Sequence, residues 1–300
     1  MKQVDKVQIR DALSAVGVER GRVVYLQTDL ATIGMFAGTR SRDEFCRAYL
    51  DSLFDLVGPE GTLVVPTYTT QVARFDMDFV WEETPTVLGT FPEYIRQRPD
   101  SLRSLHPVVS FTAMGALKQS ICGDNGVSGF GWDSPAHRIW EADGLAVTIG
   151  LPRRYVVGIP HHVEALTNAP YLYNKLLKWE PIVAGKPIGR KFVLNVRWLH
   201  VEYTYSFRRW IAALQAEGAM RSVPLGGHYV HSAPYRRSFA IATEALRADP
   251  DYLLERPMEI PYGREPFDGP TAARESLGAS DKDLSWTGYY LMARGSLGTE

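Results

Sequence analysis

The sequence predicts an α/β fold with a mixed sheet, and three observations carry that prediction. Helix-period and strand-type segments alternate from the first residues onward. Two short apolar runs, at 61–66 and 145–149, have the uninterrupted hydrophobicity of strands covered on both faces. Beyond His161, strand-like stretches follow one another closely, as antiparallel neighbours do, so both pairing senses are expected.

The elements follow in order. Ile9, Leu13 and Val16 recur at helical spacing and Gly17 ends the stripe. A β-rich run at 22–27 leads into the polar, small-residue turn Thr28-Asp-Leu-Ala-Thr-Ile-Gly34, a junction suited to anions. Ser41-Arg-Asp-Glu44 reads as a capping box for a helix whose face is Phe45, Tyr49, Leu53 and Leu56, stopped at Gly58-Pro59. After the strand at 61–66, residues 67–105 read as a long functional connection with one short helix at 92–97. Strands are expected at 108–113, 145–149, 177–183, 191–199 and 201–205, and a helix at 207–217. From about Asp249 no period persists. One domain over 1–258, with an irregular tail at 259–300 packed on it, is therefore expected.

With 45% hydrophobic and 22% charged residues over 300 positions, the chain can bury a large core, which excludes disorder as its main state. No run reaches the roughly 18 apolar residues of a membrane span, and the charged start does not read as a secretion signal, so a cytoplasmic protein without a membrane partner is expected. Cys46 and Cys122 read as reduced structural thiols. The net charge of −1 gives no reason to expect nucleic acid. Its distribution is uneven: residues 181–240 hold nine basic and two acidic side chains, hence +7, interleaved with aromatics such as Trp210 and Tyr229. Such a stretch reads either as a solvated basic face or as a wall that meets something anionic.

Histidines are few. In His161-His-Val-Glu164 the start of a helix places His161 and Glu164 on one face, as a general base oriented by a carboxylate requires. A buried histidine with satisfied hydrogen bonds is the structural alternative. A metal site is not expected, because adjacent His161 and His162 point about 100° apart on a helix.

The run Gly58-Pro-Glu-Gly-Thr-Leu-Val-Val-Pro-Thr-Tyr-Thr69, followed by Phe75-Asp76, Thr84-Pro-Thr86 and Leu88-Gly-Thr-Phe-Pro-Glu93, resembles the aminoglycoside 3-N-acetyltransferase family. Arg96, Pro99, Arg103-Ser-Leu-His-Pro107 and Ser110-Phe-Thr-Ala-Met-Gly115 match that family's R-x-x-P-x-x-x-R-S-x-H-P-x-x-S-F-x-A-x-G at every fixed position. Phe130-Gly-Trp-Asp-Ser-Pro135 is similar to its F-G-x-x-S-P, Glu141-Ala-Asp-Gly144 to its E-x-D-G, and His161-x-x-Glu164 with Pro170-Tyr171 to its H-x-x-E and downstream P-Y. The resemblance covers residues 10–180 well and the remainder weakly. It departs at Gln27-Thr-Asp-Leu30, where the family carries His-Ser-Ser-Leu, and at Val157-Gly158, where the family carries Asn-Thr before its histidine.

The resemblance implies a three-layer α/β/α fold with a mixed sheet and acyl transfer from acetyl-CoA to an amine, without a metal. His161 is then the expected base, Glu164 its orienting carboxylate, and Thr67 a donor to the developing oxyanion. CoA is expected on Thr28, Asp29 and Leu30 and on Arg103, Ser104, His106, Ser110 and Phe111. The acceptor is expected on Tyr68, Trp132, Asp133 and Glu202. Direct attack is expected, since no cysteine lies in the matched motifs. A serine hydrolase is disfavoured because no G-x-S-x-G occurs. The +7 segment favours an anionic small-molecule amine, an aminophosphonate or a nucleotide-linked amino sugar, with Arg208, Arg209, Arg236 and Arg237 as counter-charges. The alternatives are an aminoglycoside 3-N-acetyltransferase that confers antibiotic resistance and a non-catalytic relative that binds CoA or an amine.

Overall fold

The computed structural model describes residues 3–39, 41–197 and 203–258. Its central sheet has seven strands: β1 (Val23–Thr28), β2 (Thr62–Pro66), β3 (Ser101–Arg103), β4 (Phe111–Gly115), β5 (Leu145–Ile149), β6 (Arg221–Leu225) and β7 (His228–Pro234). They lie in the order β6-β7-β5-β1-β2-β4-β3. The middle trio β5-β1-β2 is parallel, with Val24 opposite both Leu145 and Leu63, whereas both flanks are antiparallel. The sheet is mixed because its edges run antiparallel to their neighbours.

Helices cover both faces. On one, α1 (Lys6–Ala15), α2 (Arg42–Val57) and α4 (Thr90–Arg96) pack Leu13, Leu53 and Phe91 against Val24, Leu26, Val65 and Val147. On the other, α6 (Pro135–Glu141), α7 (Pro160–Thr167) and α9 (Tyr235–Ala248) bring Ile139, Ala165 and Tyr235 to Tyr25, Val64 and Ala146. Alternate residues of β1 thus feed opposite layers, as the two-residue strand period requires, and three layers result. Local signals support the helices. Asp5 and Gln8 form a reciprocal capping box on α1, so that helix begins before its first apolar residue, and Ser41 Oγ accepts from Glu44 N at 3.1 Å at the start of α2.

Several elements differ from expectation. The strand expected at 108–113 starts at Phe111 because His106 Nδ1 takes the amides of Val108 and Val109, so neither N–H is available to a strand ladder. The run at 177–183 is broken: Leu172–Leu176 pairs antiparallel with Val193–Arg197, while Pro181–Val183 pairs with Phe79–Val80 and Lys186–Pro187. Neither group joins the central sheet. The end of the expected strand 191–199 and the start of 201–205 lie outside the described residues, and Tyr205 makes only a bridge to Leu254. The connection 67–105 is more ordered than expected, with α3 (Thr70–Phe75) and β3 besides α4. The helix expected at 207–217 is α8 (Arg208–Ala216). Residues 249–258 are irregular, and the expected tail 259–300 lies outside the described residues. Cys46 and Cys122 are buried and unbonded to each other.

Gly115 shows how tightly the central strands constrain sequence. It sits at φ +118 opposite Thr62, and a Cβ there would come within 2.2 Å of the Gly61 carbonyl oxygen and 2.9 Å of Thr62 Cα. Both are backbone atoms of the neighbouring strand and its turn, so relief requires parting β4 from β2. Gly115→Ala is expected to cost about 2–4 kcal/mol. Urea denaturation checks this, and an unchanged midpoint would contradict it.

Candidate active site

In sheets with a parallel centre, side chains that act on ligands gather beyond the carboxyl ends of the parallel strands. Here three connections leave that edge: residues 28–34 after β1, Thr67 onward after β2, and 150–160 after β5. The first and third are joined. Asp29 N donates to Ile149 O at 2.9 Å, Thr32 Oγ1 lies 2.8 Å from the carbonyl oxygens of both Asp29 and Gly150, and Gln27 Nε2 donates to Tyr155 O at 3.0 Å. The β5 connection makes a helical turn over Arg153–Val157, passes through Gly158 at φ +94, and enters α7 at Pro160, whose fixed φ suits a first helical position. His161 follows at once.

His161 Nδ1 lies 2.6 Å from Glu164 Oε2. The imidazole side chain is 43% exposed and the carboxylate fully buried. With Nδ1–H donated to the carboxylate, the Nε2 lone pair is free to take a proton. Burial pulls the imidazolium pKa down, but the charge and hydrogen bond of Glu164 together more than reverse this and hold it above the ordinary histidine value. The other carboxylate oxygen, Oε1, accepts from Tyr171 OH at 2.9 Å. Phe130 and Tyr205 flank the His161 ring, with centroids at 5.2 and 5.9 Å.

His162, one residue on, has the opposite character. It is fully buried, its Nδ1 lies 2.7 Å from Tyr235 OH and its Nε2 3.3 Å from His137 Nδ1. Burial, with His137 beside it, pushes its pKa down to about 3. Hence His162 has the contacts of a buried histidine with satisfied hydrogen bonds, whereas His161 pairs with Glu164 and stays part-exposed. Among the described residues no group of histidine, cysteine and carboxylate side chains is arranged to hold a metal, and no helix is long and apolar enough to cross a membrane. Gly158, part of the Val-Gly that departs from the family pattern, leaves room for Tyr235: a Cβ would come within 2.6 Å of that ring.

The Arg103 to Phe111 segment is a scaffold. Arg103 is buried and its guanidinium donates to Ser110 Oγ, Trp81 O and Thr84 O at 3.0, 3.0 and 2.7 Å. Ser110 Oγ donates to Thr67 O, and Ser104 Oγ accepts from Phe111 N. His106 accepts two amides on Nδ1 and reaches Val193 O with Nε2 at 3.2 Å. Thr67 Oγ1 lies among Ser110 Oγ and Thr112 Oγ1. All these side chains, and Phe111, are buried. Their polar atoms are engaged with one another and with backbone, which are the contacts of a loop anchor rather than of a surface open to CoA.

Thr28, Asp29 and Leu30, by contrast, line a cavity of about 580 Å3. Ser41 and Arg42 at the amino end of α2 and Gly89–Phe91 before and within α4 close it. The cationic side chain of Arg42 and the hydroxyl residues Thr28, Thr39, Ser41 and Thr90 lining one cavity are a donor set that fits a phosphate-bearing cosubstrate. Tyr68 stands one ring from the centre, at 5.5 Å from Phe111 and 6.1 Å from Phe130. Trp132 is 68% exposed with its ring 4.5 Å from that of His137, and Asp133 pairs with Arg138 at 2.7 Å. Glu202 lies outside the described residues. Sequence reasoning missed Tyr171 and Tyr205 as neighbours of the dyad; the Pro170-Tyr171 match was the available signal for the first.

The basic segment does not form a wall. Arg209 pairs with Asp249 at 2.6 Å and stacks on Tyr252, Arg237 pairs with Glu217, and Arg236 donates to Trp140 O at 2.8 Å. Arg209 and Arg237 thus meet carboxylates at the ends of α9 and α8, and Arg236 meets carbonyls at the end of α6.

Fold and site together define an α/β enzyme with a carboxylate-oriented histidine at the carboxyl edge of its sheet. Residues 26–247 match the sequence profile of aminoglycoside 3-N-acetyltransferases, and the chain belongs to that family. It is an acetyl-CoA-dependent N-acetyltransferase. Over 210 residues it is 28% identical to aminoglycoside N(3)-acetyltransferase VII of Streptomyces paromomycinus, covering 63% of this chain and 70% of that one. Among solved structures it is similar to aminoglycoside acetyltransferase AAC(3)-Xa, with TM-score 0.70, 24% identity and coverage of 84% and 94%. It is also similar to AAC-IIIb in binary complex with CoASH, with TM-score 0.68, 18% identity and coverage of 82% and 97%.

Two outcomes follow from the buried groups. Arg103→Ala leaves several carbonyls without their donor and is expected to cost about 2–4 kcal/mol while changing CoA affinity less than threefold; denaturation and calorimetry measure the two, and a large loss of affinity at unchanged stability would contradict the anchor role. Burial pushes His106 and His231 down to about 4 and His162 to about 3. These groups bind protons first in the unfolded chain, so their stability contribution is complete above about pH 6.5 and is lost as pH falls toward 4. His137 is also held below its ordinary value by burial, so His161, raised, acts in the opposite sense as one group against four. The melting temperature is therefore expected to fall between pH 7 and pH 5, and a rise over that range would contradict the assignment.

Proposed function

We propose that this acetyltransferase modifies an amino group of an aminoglycoside, with His161 as general base and acetyl-CoA seated at the cavity beside Thr28–Leu30. The observation that carries the reading is the short hydrogen bond between His161 Nδ1 and the buried Glu164 carboxylate on a ring that remains 43% exposed. An aliphatic amine is mostly protonated near neutrality, so a base within reach is needed to free its lone pair. Nε2 first takes a proton from the ammonium and releases it to solvent. As the freed nitrogen bonds to the thioester carbonyl carbon its second proton passes to Nε2, the carbon–sulfur bond breaks, and the imidazolium returns that proton to the departing thiolate, so CoA leaves as the thiol. Glu164 steadies the imidazolium that forms.

Family membership supports an aminoglycoside acceptor over an anionic one. The anionic reading rested on a basic wall, and three of its four named arginines are engaged on helix exteriors. A mass-spectrometric screen with acetyl-CoA tests this. An aminoglycoside is expected to give the highest kcat/KM, and faster turnover of a nucleotide-linked amino sugar or aminophosphonate would sink the proposal. His161→Asn is expected to lower kcat by about 10²–10⁴-fold with CoA affinity within a few-fold, and Glu164→Gln to cost less. Near wild-type kcat in His161→Asn would remove His161 from the mechanism.

A further inference from the structure

Glu164 raises a question that the His161–Glu164 pair does not answer. A buried carboxylate has two oxygens, and only Oε2 faces the imidazole. Left without a donor, Oε1 would be a buried unpaired acceptor, and the carboxylate would be free to rotate about its terminal torsion, which has a broad two-fold profile. Tyr171 supplies the second donor, and the chain goes to some length to place it. Asn168, at φ 54, ends α7 in the left-handed conformation, and the amide of Ala169 returns to Glu164 O at 3.0 Å. This turn brings Tyr171, seven residues after Glu164, back beneath the carboxylate. Tyr171 is fully buried, packed with Ala169 and Leu254 and beside the Tyr203 ring at 5.3 Å.

We propose that Tyr171 is a positioning residue for the acetyl transfer, acting through Glu164 to set both the orientation and the proton affinity of His161. This rests on the reading of His161 as the base. When the imidazolium loses its proton, the carboxylate is left as an uncompensated buried charge, and the Tyr171 hydroxyl stabilises that state more than the ion pair that precedes it. Removing the hydroxyl therefore raises the pH at which the dyad releases its proton. Of the other titratable groups, Tyr203 and Tyr205 face the carboxylate, Asp251 and Arg197 act further out on Tyr171 and Tyr203, and His162 is turned away toward Tyr235 and His137.

The test is Tyr171→Phe in the full-length enzyme, with the His161 ring titrated by NMR and kcat/KM for the amine measured across pH. The midpoint of the His161 titration is expected to rise by about half to one pH unit, and the acidic limb of the rate profile to move with it. At pH 7 the rate is expected to fall by up to about 3–10-fold and to recover toward wild type at higher pH. A purely structural role would lower the rate at every pH and leave the midpoint in place; that result, in a variant with wild-type melting temperature and CoA affinity, overturns the proposal. If Tyr171→Phe does not fold, 3-fluorotyrosine at position 171 keeps ring and hydroxyl but donates more strongly, and the midpoint must then move down; no movement overturns the proposal equally. Full turnover in His161→Asn would defeat the base reading alone, since the NMR titration reports the coupling without catalysis.

Discussion

A buried carboxylate needs a donor on each oxygen, and around Glu164 this requirement organises the site. Oε2 meets His161 from the same helix, three residues away, and Oε1 meets Tyr171 from beyond the helix end. The first contact needs only one turn of α7; the second needs the helix to stop at Asn168 and the chain to double back. Upstream, the histidine is placed by the β5 connection, where Gly158 is without a side chain because the Tyr235 ring occupies the space a Cβ would take. The same Tyr235 holds His162, so His161 and His162 are positioned by neighbouring parts of one polar core.

The buried polar network around Arg103 does different work. Its members bond to each other and to three carbonyls of the β2–β3 connection, so removal of one leaves buried partners unsatisfied. That explains how a run of motif residues with charged and hydroxyl side chains can be rigid scaffold without presenting any of them to a ligand. The open polar groups lie instead on the β1 connection and at the start of α2.

Charge along the chain is a poor guide to charge in space. The nine basic residues of 181–240 are divided among the short strand Lys186–Pro187, the loop at 190–191, the strand Val193–Arg197, α8, β6 and α9, and several meet carboxylates or carbonyls from outside the segment. What looked like one surface in sequence is several, which removes the electrostatic case for an anionic acceptor.

The sequence by itself determined the α/β class, the first two helices and strands, β5, α8 to within a residue at each end, and the pairing of His161 with Glu164. These are local: an apolar period, a serine cap and an i, i+3 spacing need no knowledge of distant residues. Only the tertiary structure decided that the strands between Leu172 and Arg197 stand apart from the central sheet, because strand partners are chosen over long separations. It alone decided that His106 staples a loop and His162 belongs to the core, since histidine roles depend on what lies across from the ring. Tyr171 reaches Glu164 for the same reason: the contact is made by a turn and by the packing of Leu254, which comes from 83 residues further along the chain.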